Sequence, residues 1–276
     1  VTVLILGGTG EARALAAALD DDAIEFESSL AGRVRNPRLP VGPVRIGGFG
    51  GAEGLARYLS ERGIRAVVDA THPFAAGISA NAAAACTVAH VPLLRLQRPG
   101  WHDRHGRWTW VDDHHAAARN AATGRRIFLS TGRQTLDRFV GPLAAHDVLV
   151  RVVDPVTTDV PPSWSVLLGR GPYTRDDERK LLLDNRIDTL VTKDSGGSFT
   201  RGKLDAADEL GVRVIVVRRP AAPRGVATVD SVTTARDWVL RVSEVRPADL
   251  RNADRRPSSS LPAVPGATAP SAGLRA

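Results

Sequence analysis

Short β-prone apolar runs alternate with helical periodicities along almost the whole chain, and this alternation constrains the fold more than any other feature. Residues 1–6 read as a strand, and 11–19 as a helix with Ala12, Leu15, Ala16 and Leu19 on one face. Strands at 23–30, 44–46, 66–70 and 92–96 follow, separated by helical stretches at 52–62 and 74–88. Gly63 is placed to end the first of these helices, and Pro73 to occupy the first turn of the second. Strands alternating with helices at this spacing imply a parallel sheet covered on both faces.

The pattern then restarts. Residues 126–129 read as a strand, 130–133 as a tight turn and 134–139 as the start of a helix. Strands at 148–153, 165–168, 189–192 and 212–217 follow, with helices near 174–185, 203–210 and 233–242. The expected fold is α/β, with two doubly wound parallel-sheet halves meeting near residues 98–113. Residues 1–100 form the expected first domain and 101–245 the second. From 246 onward Pro, Ala, Ser and Arg dominate without periodicity, so 246–276 reads as a disordered tail.

Composition narrows the function classes. The chain has 276 residues, 43% hydrophobic and 24% charged, as globular proteins do. Of the formal charge of +7, the tail carries +3, from five arginines against two aspartates, which leaves +4 for the rest. A mild, dispersed basic excess suits an anionic small molecule better than nucleic acid, whose binders cluster basic residues among aromatics. No stretch approaches a membrane span of about 20 apolar residues. The single cysteine, Cys86, excludes an internal disulfide and reads as a small core residue. The expectation is a cytoplasmic protein with no membrane or nucleic-acid partner.

The chemistry sits in the turns after the strands. In Gly7-Gly8-Thr9-Gly10 a strand feeds a glycine turn and then a helix, which puts free N–H groups and a positive helix end at one spot. Phosphate binds in such places. The dinucleotide fingerprint is incomplete, because Arg13 stands where a third glycine or alanine belongs, and no Walker lysine follows. Near the end of the second strand an acid would select NAD; here Ser29 and Arg33 stand instead, which favours the 2′-phosphate of NADPH. Thr71 and His72 follow the strand at 66–70, where they can cap the next helix or border a reacting centre. In the second half, Thr131 lies in the 130–133 turn, while Lys193 and Ser195 bring a cation and a hydroxyl to Thr192-Lys193-Asp194-Ser195-Gly196-Gly197. Only two other lysines exist, Lys180 and Lys203. His102, His105, His114 and His115 lack companion ligands for a metal and read as solvated loop residues.

Taken in order, Gly-Gly-Thr-Gly-Glu-Ala-Arg (7–13), Ser-Leu-Ala-Gly-Arg (29–33), Gly-Gly-Phe-Gly-Gly (47–51), Asp-Ala-Thr-His-Pro-Phe-Ala (69–75), Arg-Pro-Gly-Trp (98–101) and Thr-Lys-Asp-Ser-Gly-Gly (192–197) resemble the precorrin-6A reductase family of cobalamin biosynthesis. The resemblance covers residues 1–242. It implies two Rossmann-like domains with NADPH in the cleft between them. It also implies reduction of one carbon–carbon double bond of an anionic tetrapyrrole, precorrin-6A, to give precorrin-6B. Under it, Gly7, Gly8, Thr9 and Gly10 hold phosphates, and Ser29 and Arg33 the 2′-phosphate. Thr131, Lys193 and Ser195 complete the cofactor site from the other domain, and Thr71 and His72 border the chemistry, with His72 or water giving the proton. A cobalt-containing substrate, or a nucleotide-binding regulator without turnover, stays open at this point.

Overall fold

The computed structural model describes residues 2–32 and 36–244. Arg33 and the tail at 246–276 lie outside these residues. Among the described residues no helix is long and apolar enough to cross a membrane.

In chain order the first elements are β1 (Thr2–Leu6), α1 (Gly10–Asp21), β2 (Phe26–Leu30), β3 (Val44–Ile46), α2 (Gly51–Glu61), β4 (Ile64–Asp69), α3 (Ala76–Ala89) and β5 (Leu93–Leu96). Then come β6 (Thr109–Val111), α4 (His114–Ala121), β7 (Arg126–Leu129), a 3₁₀ turn at Arg133–Thr135, α5 (Asp137–Val140), β8 (Asp147–Val152) and β9 (Trp164–Leu168). The last are α6 (Arg175–Asp184), β10 (Thr189–Lys193), α7 (Gly202–Leu210), β11 (Arg213–Val217), β12 (Ala227–Val229) and α8 (Val232–Glu244).

These strands build two six-stranded sheets, ordered β12-β5-β4-β1-β2-β3 and β6-β11-β10-β7-β8-β9. Every pairing is parallel. Helices lie on both faces. Ala12, Leu15, Ala16 and Leu19 of α1 and Ala235 and Val239 of α8 pack on one face of the first sheet, Leu55 and Leu59 of α2 with Ala82 and Ala85 of α3 on the other. In the second sheet Ala117, Ala118 and Ala121 of α4 cover one face, Leu182 of α6 and Leu204 of α7 the other. The face expected for α1 is the one that is buried. Because Leu15 and Leu19 are fully covered, truncating either to alanine costs about 2–5 kcal/mol.

The first sheet receives its edge strand from across the middle of the molecule. β12 follows the whole second sheet yet pairs with β5, and α8 packs beside α1. The sequence reading places this stretch with the second half; in the structure residues 227–244 complete the first sheet. β6 lies between the two halves in sequence and pairs with β11 at the edge of the second sheet. Two linkers therefore pass between the sheets, at residues 97–108 and 218–226.

The start of α3 also differs from expectation. Pro73 lies in a turn, the helix begins at Ala76, and its N-cap residue Ala75 makes no side-chain cap. The backbone N–H of Phe74 is instead taken by His72 Nδ1, 3.2 Å away, which holds the chain in a turn before the helix starts. Thr71 and His72 are therefore not helix caps.

Candidate active site

In an open parallel sheet, ligands bind beyond the carboxyl ends of the strands where strand order reverses. In the first sheet that point lies between β1 and β4; in the second it lies between β7 and β10. The turns leaving these four strands carry nine of the eleven residues expected to act; Ser29 ends β2 beside Leu6, and Arg33 is undescribed.

At the first switch point Gly8 has φ +110 and would have nothing within 4 Å of an added Cβ, so this turn is open as well as left-handed. Gly7 donates to the Ser29 carbonyl and ties the turn to β2. Thr9 is spent on architecture. Its Oγ1 accepts from Ala12 N–H at 3.1 Å as the N-cap of α1 and donates to the Ala70 carbonyl at 2.7 Å. That second bond joins the turn after β1 to the turn after β4. The Arg13 N–H reaches the Thr9 carbonyl. Of the four N–H groups that this helix start leaves without intrahelical acceptors, Thr9 to Ala12, only that of Ala12 is taken among the described residues, so those of Thr9, Gly10 and Glu11 remain for a ligand. An oxyanion such as a cofactor phosphate fits this turn. The Glu11 carboxylate, which would repel it, is held by Arg98 Nη1 at 2.7 Å.

Beside it, Asp69 is buried at 2% exposure. Its Oδ1 accepts from the Thr71 hydroxyl at 2.6 Å and the Thr71 N–H at 3.1 Å; its Oδ2 pairs with Arg95 at 2.6 Å. Arg95 also reaches Ser79 Oγ and, at 2.9 Å, Gln97 Oε1. This network fixes Thr71 and delivers His72 to the cleft. Breaking such a buried pair by removing one partner costs about 3–5 kcal/mol.

The second switch point is cationic. Lys193, at the end of β10, donates to no oxygen among the described residues; its ammonium stands 5.3 Å from the centre of the Phe74 ring. Burial lowers its pKa to about 8. Thr131 is buried, near Thr135 Oγ1 at 3.4 Å, and an added Cβ on neighbouring Gly132 would lie 3.8 Å from Lys193 Nζ. Ser195 turns its Oγ to His72 Nε2 at 3.2 Å. The residues singled out in the two halves thus meet across one cleft.

Residues to which the sequence reading gave no individual role hold this junction. Arg98, on the first linker, donates from Nε to the Ser195 carbonyl at 2.6 Å while its Nη1 grips Glu11. Arg219, on the second, donates to the carbonyls of Asp194, Arg98 and Pro99 and pairs with the Asp194 carboxylate at 3.0 Å. Trp101 contributes its N–H to Asp194 Oδ1 and its indole N–H to the Gly197 carbonyl. Gly196 and Gly197 have positive φ, and an added Cβ would overlap the Arg219 guanidinium and Pro99 carbonyl at one, and approach Arg98 at the other. Both linkers are therefore tied to the loop after β10.

His72 is surrounded by cations. Burial first, then Lys193, Arg98 and Arg219, push its pKa down to about 2, so the ring is neutral. His114 corrects the reading of a solvated loop: it is half-buried at the start of α4, edge-on to Phe74 and Phe139, and burial lowers its pKa. No group of three potential metal ligands occurs among the described residues. Where β2 ends, an open groove of about 580 Å³ lies between Gly32 and Arg133, Gln134, Asp137, Thr157 and Thr158.

Comparison with known proteins agrees with this geometry. The family model described as precorrin-6x reductase CbiJ/CobK matches residues 2–239. A precorrin-6A reductase of Rhodococcus erythropolis is 53% identical over 86% of this chain and 96% of its own length. One from Mycobacterium tuberculosis is 52% identical over the same shares. A cobalt-precorrin-6A reductase of Priestia megaterium is 30% identical over 81% of this chain and 92% of its own. The solved structure of CobK precorrin-6A reductase superposes with a TM-score of 0.82 at 40% identity, covering 88% of this chain and 97% of that one. With its two parallel sheets joined at their switch points, this chain belongs to the precorrin-6x reductase family.

Proposed function

We propose that this chain reduces precorrin-6A to precorrin-6B in cobalamin biosynthesis, with NADPH as the reductant. The observation that carries the reading is the meeting of two switch points in one cleft, one offering backbone donors and the other a lysine with no oxygen partner among the described residues. Family membership implies a nicotinamide cofactor, and the open turn at Gly7–Gly10 suits its phosphates. The Ser29 hydroxyl, near the end of β2, has no hydrogen-bond partner among the described residues, and we assign it, with Arg33 four residues on in sequence, to the 2′-phosphate. Thr131, Lys193 and Ser195 complete the cofactor site from the opposite wall.

When bound, the cofactor supplies hydride to one carbon of the macrocycle. The chain aligns the two rings and excludes water from between them. Thr71, fixed by Asp69, and His72 border that contact. A neutral His72 with its Nδ1 already occupied is not an acid, so the proton reaching the neighbouring carbon comes from water. The metal-free substrate is favoured because relatives named precorrin-6A reductase are 43–53% identical, whereas those named for the cobalt form are 30–31% identical.

The test follows NADPH absorbance with metal-free and cobalt-bound precorrin-6A in parallel. Oxidation with the metal-free substrate supports the proposal, and oxidation with neither overturns it. Arg33→Ala raises KM for NADPH and leaves that for NADH unchanged; equal changes in both would show that Arg33 does not read the 2′-phosphate.

A further inference from the structure

His72 and Ser195 come from different sheets, and the hydrogens between them can be assigned. The backbone N–H of Phe74 points at His72 Nδ1 from 3.2 Å, and a backbone amide can only donate. Nδ1 is therefore the acceptor nitrogen of a neutral ring, and Nε2 carries the hydrogen. Across 3.2 Å, Nε2–H donates to Ser195 Oγ. A hydroxyl has one hydrogen and two lone pairs; here one lone pair is used and the hydrogen is not. No other described group bonds to Ser195 Oγ. The Ser195 backbone is held independently, its N–H on the Lys193 carbonyl and its carbonyl on Arg98 Nε. The charged and titratable groups facing the ring, Lys193, Arg98 and Arg219, are all cations that oppose its protonation.

We propose that His72 is a positioning residue whose locked tautomer commits the Ser195 hydroxyl to donating into the cleft, toward an oxygen of the bound cofactor–substrate pair. This rests on the reductase reading for its ligand, but the tautomer does not. The partner is an acceptor oxygen, either on the cofactor or on a substrate carboxylate. With the Lys193 ammonium, a donor with no lone pair, two residues away, this wall favours oxyanions.

Nitrogen-15 NMR of histidine-labelled protein tests the first half without any ligand, the His72 signal being assigned by its loss in His72→Phe. We expect the neutral Nε2–H form throughout about pH 5 to 8, where an ordinary imidazole titrates. An imidazolium in that range, or an Nδ1–H form, overturns the proposal. Kinetics test the second half. Ser195→Ala should lower kcat/KM by about 10- to 100-fold, as expected for a hydrogen bond to a charged acceptor. His72→Phe should lower it less and leave the pH profile in shape, and the double variant should be no worse than Ser195→Ala. A rise in KM confined to NADPH places the acceptor on the cofactor, and one confined to precorrin-6A places it on the substrate. Additive losses, an unchanged Ser195→Ala enzyme, or a vanished pH limb in His72→Phe would each refute the coupling.

Discussion

The two switch points have the same strand logic and opposite chemistry. At the first, the one side chain in the turn that could bind a ligand, Thr9, is consumed by its bonds to Ala12 and Ala70, and what remains is backbone N–H. At the second, the backbone is consumed by Arg98, Arg219 and Trp101, and what remains are the side chains of Lys193 and Ser195. One site offers fixed backbone dipoles, and the other a side-chain charge and a hydroxyl. Duplicated topology thus fixes where ligands go but not how they are gripped.

The sharpest way to break the comparison is to disturb the loop that frees those side chains. Gly196→Ala forces a Cβ into Arg219 and the Pro99 carbonyl at a left-handed backbone position, and should destabilise the protein by about 3 kcal/mol in urea unfolding. A loss below about 1 kcal/mol, the low end for such backbone strain, would mean the linkers do not depend on this approach.

Next comes the charge itself. Lys193→Ala should raise KM for NADPH by about 10- to 100-fold, the effect of one charge-assisted bond. In the wild type, affinity for NADPH should weaken as pH rises through about 8, because the free enzyme's ammonium discharges there. Lys193→Arg should keep binding and lose that pH dependence, since arginine stays charged.

Smaller effects belong to the first switch point. Thr9→Ala removes the N-cap and the link to Ala70 and should cost about 1–2 kcal/mol of stability in urea unfolding. Ser29→Ala should change stability by less than about 0.5 kcal/mol, as no described group depends on its hydroxyl, while reducing the preference for NADPH over NADH a few-fold.

Much of this was legible in the sequence. The β1–α1 turn, the buried face of α1 and the two-sheet plan follow from periodicity and glycine placement. The edge strands β6 and β12 do not, and their pairing with β11 and β5, about 100 or more residues away in sequence, is set only by tertiary contacts. Pro73 suggested a helix start that the His72–Phe74 bond overrides. The roles of Arg98, read only as part of a motif, and of Arg219, read only as dispersed charge, emerge from carbonyl partners that are distant in sequence. Arg151 on β8, paired bidentately with Glu178 on α6, and Lys203 on α7, bonded to the Thr200 carbonyl, are buried charges that escaped notice for the same reason. His114 was hidden by its neighbour His115, since only burial separates them.

The central claim is that both switch points close on one cofactor. Because the chain has only three lysines, nitrogen NMR of the lysine ammonium groups tests it directly. On addition of NADPH the Lys193 signal should shift and its pKa should rise from about 8 toward the ordinary lysine range, as an anion arrives beside it. Lys180, exposed and paired with Asp184 on α6, should not move. A Lys193 signal indifferent to saturating NADPH would contradict the claim that the second sheet takes part in holding the cofactor.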